Sequence, residues 1–407
     1  MRDRVPAAIV TVGTELVRGL RLDTNTAEVA SALWITGYDV AETVSVPDSV
    51  DAIARTMSRL VDTYPLVVVT GGLGPTHDDV TREAAARALS RPMEREPSLE
   101  KALLTRGPGH TDPQARAQML RQAELVSGAR PIAPSVGTAP GQVIATGTST
   151  LVLLPGPPAE MRPMVREFLG SGHHAAHVRT LRCLGITETD AQLAAQAVLG
   201  NSPGIGLTVL ATPALVDVVL FDEGADDPAL DEAATRIAAA LGTACYSTDG
   251  STLAETVLAH ARSTGDRLAT AESCTGGMVA SALTDVPGAS DVFAGGVVAY
   301  SNDVKTSLLG VPPSTLAAHG AVSEETALAM ATGALGLGAT CAVATTGVAG
   351  PTGGSPDKPV GLVWIATASR HSQGTAREYR FPGDRTGVRA RATAHALDAL
   401  RRALLVP

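Results

Sequence analysis

The sequence predicts an α/β protein built on largely parallel sheets, and two observations predict it. Between Ala7 and Leu89, apolar runs of strand length alternate with stretches whose apolar residues recur at helical spacing, the pattern of a parallel sheet covered on both faces. Farther on, the run Arg267 to Thr270 passes through a glycine-bearing turn into a helix, a unit that presents side chains at a strand's carboxyl end. At 407 residues with 44% hydrophobic content, the chain has room for two or three cores.

Taken in order, Ala7 to Val12 reads as a buried strand, and Gly13-Thr14-Glu15-Leu16 turns out of it. Asp23-Thr24-Asn25-Thr26 opens a helix to about Thr36, followed by a strand near Val40 to Val46. A helix from Ser49 to Asp62 puts Ile53, Met57, Leu60 and Val61 on one face. The strand Leu66 to Thr70 then runs into Gly71-Gly72-Leu73-Gly74-Pro75-Thr76-His77-Asp78-Asp79-Val80-Thr81 and a helix from Arg82 to Leu89. Glycines there let backbone N–H groups approach a phosphate, with Gly71, Gly72, Gly74 and Thr81 as candidate contacts. Asp78 and Asp79 beside them suit a divalent cation such as Mg²⁺, which takes oxygen ligands. The competing roles are a tight turn without ligand and helix capping by aspartate. Gly137-Thr138-Ala139-Pro140-Gly141 and the Pro155-Gly156-Pro157-Pro158 turn are candidate further walls of the same cleft, or ordinary turns.

Beyond Gly170, the pair His173 and His174 with His177 has no acidic partner nearby and reads as linker rather than metal site. Val178 to Leu184 reads as a strand, Thr187 to Leu199 as a helix, Gly206 to Leu210 with Leu215 to Phe221 as a hairpin, and Asp231 to Leu241 as a helix. The four cysteines, Cys183, Cys245, Cys274 and Cys341, are isolated in sequence and form no C-x-x-C motif, which fits a reduced compartment.

A formal charge of −9 and 3% aromatic content argue against a nucleic-acid surface, which rests on clustered Lys and Arg with stacking rings. No run reaches the roughly 18 apolar residues of a membrane span, and Ala7 to Val12 is too short for a signal core. A cytoplasmic location follows as the expectation.

The stretch Ala271-Glu272-Ser273-Cys274-Thr275-Gly276-Gly277 places a hydroxyl on the turn before a helix, where N–H groups can face a developing oxyanion. Ser273 is the candidate nucleophile; its competing role, shared with Thr275, is helix capping. After the strand Val292 to Ala299 comes Tyr300-Ser301-Asn302-Asp303-Val304-Lys305. A desolvated Lys305 is a candidate base for a serine hydroxyl, with no histidine required. Cys274 is read as a small buried thiol rather than a reactive one. Ser323 to Gly336 reads as a helix and Ala339 to Thr345 as a strand. The loop Thr346 to Ser355 is rich in glycine and could hold a phosphate, or be a plain connection. A strand from Gly361 to Ala368 follows, and Phe381-Pro382-Gly383-Asp384-Arg385 introduces the last helix. Arg385 is a candidate phosphate contact or a solvated arginine.

These segments carry a resemblance. Ala271 to Gly277, Asp285-Val286-Pro287-Gly288-Ala289-Ser290, Tyr300-Ser301-Asn302 with Lys305, and Thr346 to Gly354 resemble the CinA C-terminal domain, the nicotinamide-nucleotide amidohydrolases. Gly13 to Leu16 with Gly19 and Asp23 to Asn25, Gly71 to Thr81, Gly137 to Gly141 and Leu154 to Met161 resemble the molybdopterin-binding fold in the version fused to CinA. The stretch Arg106 to Pro134 departs from the family pattern. The resemblance implies three domains: a molybdopterin-binding-like three-layer α/β domain (1–170), a small KH-like α+β connecting domain (171–247), and an α/β deamidase domain (248–407). It implies Ser273 as nucleophile, Lys305 as base and Tyr300 as proton relay or amide-positioning group. Thr275, Gly276, Gly277, Thr346, Gly347, Gly350, Gly353 and Arg385 would hold nicotinamide mononucleotide, with no cofactor. In the first domain, Gly71, Gly72, Gly74, Thr81, Gly137 and Thr138 would hold ADP-ribose and Asp78 and Asp79 a divalent metal, Asp79 matching the family's acidic position best. A homodimer follows by family analogy. The alternatives are a nucleotide- or pterin-binding module without turnover and a molybdopterin adenylyltransferase-like activity.

Overall fold

The computed structural model describes residues 4–106, 112–170, 177–200, 202, 204–222, 227–370 and 374–405. They divide into two compact units, 1–177 and 178–407. The expected connecting and C-terminal domains share the second. His173 and His174 lie outside the described residues.

In the first unit a six-stranded sheet runs in the order Tyr38–Val46, Val5–Val12, Leu66–Thr70, Thr150–Leu154, Gly141–Ala145, Arg130–Ile132. The first four strands pair in parallel, and Gly141–Ala145 pairs antiparallel with both of its neighbours. Leu66–Thr70 is buried throughout, as a Val-rich strand covered on both faces must be. The helix Val50–Val61 buries Ile53, Ala54, Met57 and Leu60 on one face of the sheet, while Val29 and Leu33 of Asn25–Ile35 pack on the other with Met161, Met164 and Val165 of Pro158–Leu169. Val5–Val12 leads to a neighbour on one side and, after the next helix, to a neighbour on the other. The crevice at its carboxyl end is thus a topological switch point, where ligands bind in open α/β sheets.

In the second unit, residues 178–247 follow the order β-α-β-β-α-β and form a four-stranded antiparallel sheet, Ile205–Ala211, Leu215–Asp222, Val178–Leu184, Cys245–Ser247. This is the split βαβ arrangement of an α+β domain. Its helices, Glu188–Leu199 and Asp227–Leu241, bury Ala191, Ala195, Leu230 and Ile237 against the sheet. The strand Cys245–Ser247 was not legible beforehand, and it sets Cys245 opposite Cys183 across the ladder, so two cysteines isolated in sequence are neighbours in the fold.

Residues 248–405 form a five-stranded sheet ordered Phe293–Val298, Leu268–Glu272, Cys341–Gly347, Leu362–Ser369, Thr375–Arg380. The first three pair in parallel, and Leu362–Ser369 pairs antiparallel with both of its neighbours. The last helix, Arg385–Leu404, covers one face, burying Val388, Ala392, Leu397 and Leu400, and Glu324–Ala334 covers the other. Leu268–Glu272 is flanked by later strands on both sides, so its carboxyl end is a second switch point. No helix among the described residues is long and apolar enough to cross a membrane.

Candidate active site

Three strand ends build the site. Ser273 directly follows Leu268–Glu272, and its N–H donates to the Thr345 carbonyl (2.9 Å), locking the turn to the neighbouring strand. Tyr300 and Lys305 follow Phe293–Val298, and Thr346 and Gly347 end Cys341–Gly347. Ser301 caps the helix Asn302–Leu309 through the Val304 N–H (3.3 Å), which turns Lys305 inward. These residues line a cavity of about 220 Å³ together with Asn302 and Arg385.

Lys305 is 1% exposed. Its Nζ lies 3.2 Å from Ser273 Oγ and donates to the Ala299 carbonyl at 2.8 Å. No carboxylate pairs with it among the described residues. Burial therefore lowers its pKa from the ordinary 10.5, the condition for a lysine to act as a base. The Cys274 thiol, by contrast, is buried and pushed up to about 11, which keeps it protonated and inert.

The oxyanion-facing amides differ from expectation. Glu272, 1% exposed at the end of its strand, accepts from Gly277 N–H (2.9 Å), Val279 N–H (3.0 Å), Ala280 N–H (2.8 Å) and Thr275 Oγ1 (2.7 Å). The helix N-terminus is thus neutralised from inside by a carboxylate. Gly276 N–H is turned to the Ser273 carbonyl (3.2 Å). Neither glycine amide is directed at the cavity, and the fully buried Thr275 hydroxyl is held between Glu272 and Thr345. Thr275 and Gly277 serve the buried Glu272 carboxylate, which must be saturated with donors, Gly276 serves the Ser273 carbonyl, and none of the three lines the cavity. The Cys274 N–H, next to Ser273, donates to no carbonyl or carboxylate among the described residues, and Cys274 lines the cavity.

Arg385, the first residue of the last helix, donates to the Gly350 carbonyl (2.8 Å) and the Tyr300 hydroxyl (3.1 Å). Tyr300 is 63% exposed at the cavity mouth. Thr346 spends its hydroxyl proton on the Ala321 carbonyl (2.6 Å). Of the loop that follows, Gly350 faces Arg385 with a carbonyl rather than an N–H, and Gly353 is exposed away from the cavity. Two residues escaped the sequence reading. Glu272 had a signal, a charge in an otherwise apolar strand. Arg389 had none: its guanidinium ties the Cys274 and Thr275 carbonyls (3.1 and 2.7 Å) from the last helix.

In the first unit, Gly71 (φ 106°) and Gly72 (φ 67°) close the crevice. A Cβ on Gly71 would lie 2.3 Å from the Val12 carbonyl oxygen, and one on Gly72 2.3 Å from Thr81 Oγ1. Both positions therefore demand glycine. Thr81 is fully buried and donates to the Gly71 carbonyl (2.7 Å), which braces the loop. The loop is held further by Arg82, 1% exposed, which donates to the Leu73 and Gly74 carbonyls. Asn25 bridges Thr70 Oγ1 (2.9 Å) and the Gly156 carbonyl (2.7 Å), fixing the Pro155 turn as a second wall. Gly137 lies under the Glu160 carboxyl, a group that burial holds above the usual carboxylate range, with Thr138 beside it.

Asp78 and Asp79 converge on one hydroxyl: Thr76 Oγ1 is 2.5 Å from an oxygen of each. One hydroxyl proton cannot serve two carboxylates at once; Asp79 also accepts from the Thr76 N–H (2.8 Å), and the His77 ring stands 3.8 Å from Asp78. No cluster of three or more His, Cys, Asp or Glu side chains stands there among the described residues. That donor set suits Mg²⁺, which keeps several waters and takes one or two carboxylates plus phosphate oxygens.

Fold and site define the class: an N-terminal α/β crevice domain joined to a serine-lysine α/β domain. Residues 8–173 match the family described as "Probable molybdopterin binding domain" and residues 250–404 the CinA C-terminal domain. A CinA-like protein of Akkermansia muciniphila is 38% identical over 98% of both chains, and one of Thermotoga maritima is likewise 38% identical over 98% of both. Among solved structures, the competence/damage inducible protein CihA from Agrobacterium tumefaciens is 46% identical, covering 38% of this chain and 93% of its own, with a TM-score of 0.37. The chain belongs to the CinA family.

Proposed function

We propose that the second unit hydrolyses the carboxamide of nicotinamide mononucleotide to nicotinate mononucleotide and ammonia. The supporting observation is the buried Lys305 amine 3.2 Å from Ser273 Oγ with no acid beside it among the described residues. In its neutral form the amine gives one hydrogen to the Ala299 carbonyl and turns its lone pair toward Ser273. It takes the hydroxyl proton as Oγ attacks the amide carbon, and the tetrahedral oxyanion is met by the Cys274 N–H. The protonated Lys305 returns the proton to the departing nitrogen, releasing ammonia and leaving an acyl ester on Ser273. Water then attacks the ester by the same exchange and frees the carboxylate. Tyr300, oriented by Arg385, stands where it can pass a proton or hold the amide, and Arg385 suits the substrate phosphate.

For the first unit we propose hydrolysis of ADP-ribose to AMP and ribose 5-phosphate. Asp78 and Asp79 would hold a divalent cation, which when bound neutralises diphosphate charge. The Gly71 to Gly74 backbone gives the diphosphate room to approach. The deciding experiment is ammonia release from nicotinamide mononucleotide by the full chain and by Ser273→Ala. Release that vanishes in the variant bears the first reading out, whereas equal release by both, or none from folded protein, ends it.

A further inference from the structure

A second and larger cavity, about 730 Å³, lies in the second unit away from Ser273. Its volume falls within the range of small-molecule sites. It is walled by the outer strands Leu362–Ser369 and Thr375–Arg380, the later turns of the last helix, and, from the connecting domain, Gly185 and Thr243. Nothing in the serine-lysine chemistry uses it.

Its lining is specific. Tyr379 and His395 present rings 4.8 Å apart, and both pack on Phe381 at 5.3 and 5.0 Å. The Arg377 guanidinium stands 5.2 Å from the Tyr379 ring centre and has no carboxylate partner among the described residues. Across the cavity, Arg402 is fixed by Asp398 (2.6 Å) and the Thr243 carbonyl (3.4 Å). Two arginines face one aspartate that already serves Arg401 and Arg402, so the lining carries net positive charge in a chain whose overall charge is −9. Burial lowers the His395 pKa despite Asp398 nearby, with Arg377 and Arg402 acting the same way, so near pH 7 the ring is neutral. A flat ring is received by aromatic faces and an anionic group by guanidinium.

We propose that this cavity is a binding site for a small aromatic anion, a flat ring bearing a carboxylate or a phosphate, with Tyr379 and His395 receiving the ring and Arg377 the anion. The site is independent of the reaction assigned to Ser273. An occupant touches the same helix whose first turns hold Arg385 and Arg389.

The test is calorimetric titration of full-length Arg385→Ala, which removes the cation of the other cavity in this unit, in EDTA, which strips divalent cation from the proposed AMP-forming crevice of the first unit, with AMP and separately with nicotinate. Saturable one-to-one binding that falls at least tenfold on adding Arg377→Glu or Tyr379→Leu, with His395 ring-proton NMR signals moving on titration, is expected. AMP alone, nicotinate alone or both binding assigns the phosphate, the carboxylate or either as the anion. Arg380→Glu is the control, since Arg380 is on the same strand but pairs with Glu378 outside the lining. No binding of either probe, binding unaffected by Arg377→Glu in folded protein, or an equal loss in Arg380→Glu overturns the proposal.

Discussion

Lys305 Nζ stands 3.2 Å from Ser273 Oγ, and its other hydrogen bond goes to the Ala299 carbonyl rather than to an acid. A buried amine with only neutral partners is a base in waiting, and its absence of counter-charge shapes both activity and stability.

Lys305→Ala is expected to lower kcat for amide hydrolysis by a factor of about 10² to 10⁴, the usual contribution of a positioned base, and Ser273→Ala, which removes the proposed nucleophile, by at least as much. Steady-state ammonia release measures it. The double variant is expected to lose little more than either single one, because the pair acts as a unit.

Because the reaction needs neutral Lys305, kcat/KM is expected to rise with pH through a lysine pKa below 10.5. Stability follows the same sign. The unfolded chain binds more protons at this residue than the folded one, so stability rises between the lowered folded pKa and 10.5, and the full cost persists below that window. Lys305→Met is expected to abolish activity yet raise the midpoint of urea unfolding at pH 7. A midpoint that falls by the margin of an ordinary core truncation would refute the account.

Glu272→Gln replaces a carboxylate that accepts from three amides and a hydroxyl with a group that is itself half donor. Each buried donor left unmet costs about 1–3 kcal/mol. A loss of several kcal/mol in denaturant unfolding is expected, along with lowered kcat from a displaced Ser273. A change under about 0.5 kcal/mol, typical of surface substitutions, would mean the carboxylate is dispensable.

EDTA is expected to stop ADP-ribose hydrolysis while leaving ammonia release from nicotinamide mononucleotide untouched. Asp79→Asn should reproduce the effect with excess Mg²⁺ present. Parallel assays on one preparation separate the two units' chemistry.

Much of this was legible because apolar periodicity reports burial directly. Leu66–Thr70 has its expected bounds, and Asn25–Ile35 and Val50–Val61 lie within a residue or two of theirs. Where two glycines and a threonine followed a strand, however, ligand contact and loop construction had the same signature. Only the structure shows Thr81 and Thr275 spending their hydroxyls inward. The strand Thr375–Arg380 escaped notice because, as an edge, it is mostly polar and charged, Thr-Ala-Arg-Glu-Tyr-Arg, with little apolar content. Arg389 escaped because its partners, two carbonyls 114 and 115 residues earlier, are a tertiary fact.

That last separation has a consequence for biosynthesis. The turn bearing Ser273 emerges from the ribosome long before the arginine that fastens its carbonyls and the arginine that donates to Tyr300. Domains form as units during vectorial synthesis, and a pairing this remote waits on loop closure. The Ser273–Lys305 site is therefore left incomplete in the nascent chain until the helix Arg385–Leu404 docks, so an interrupted translation product carries the serine and the lysine but not the arginines that brace the site.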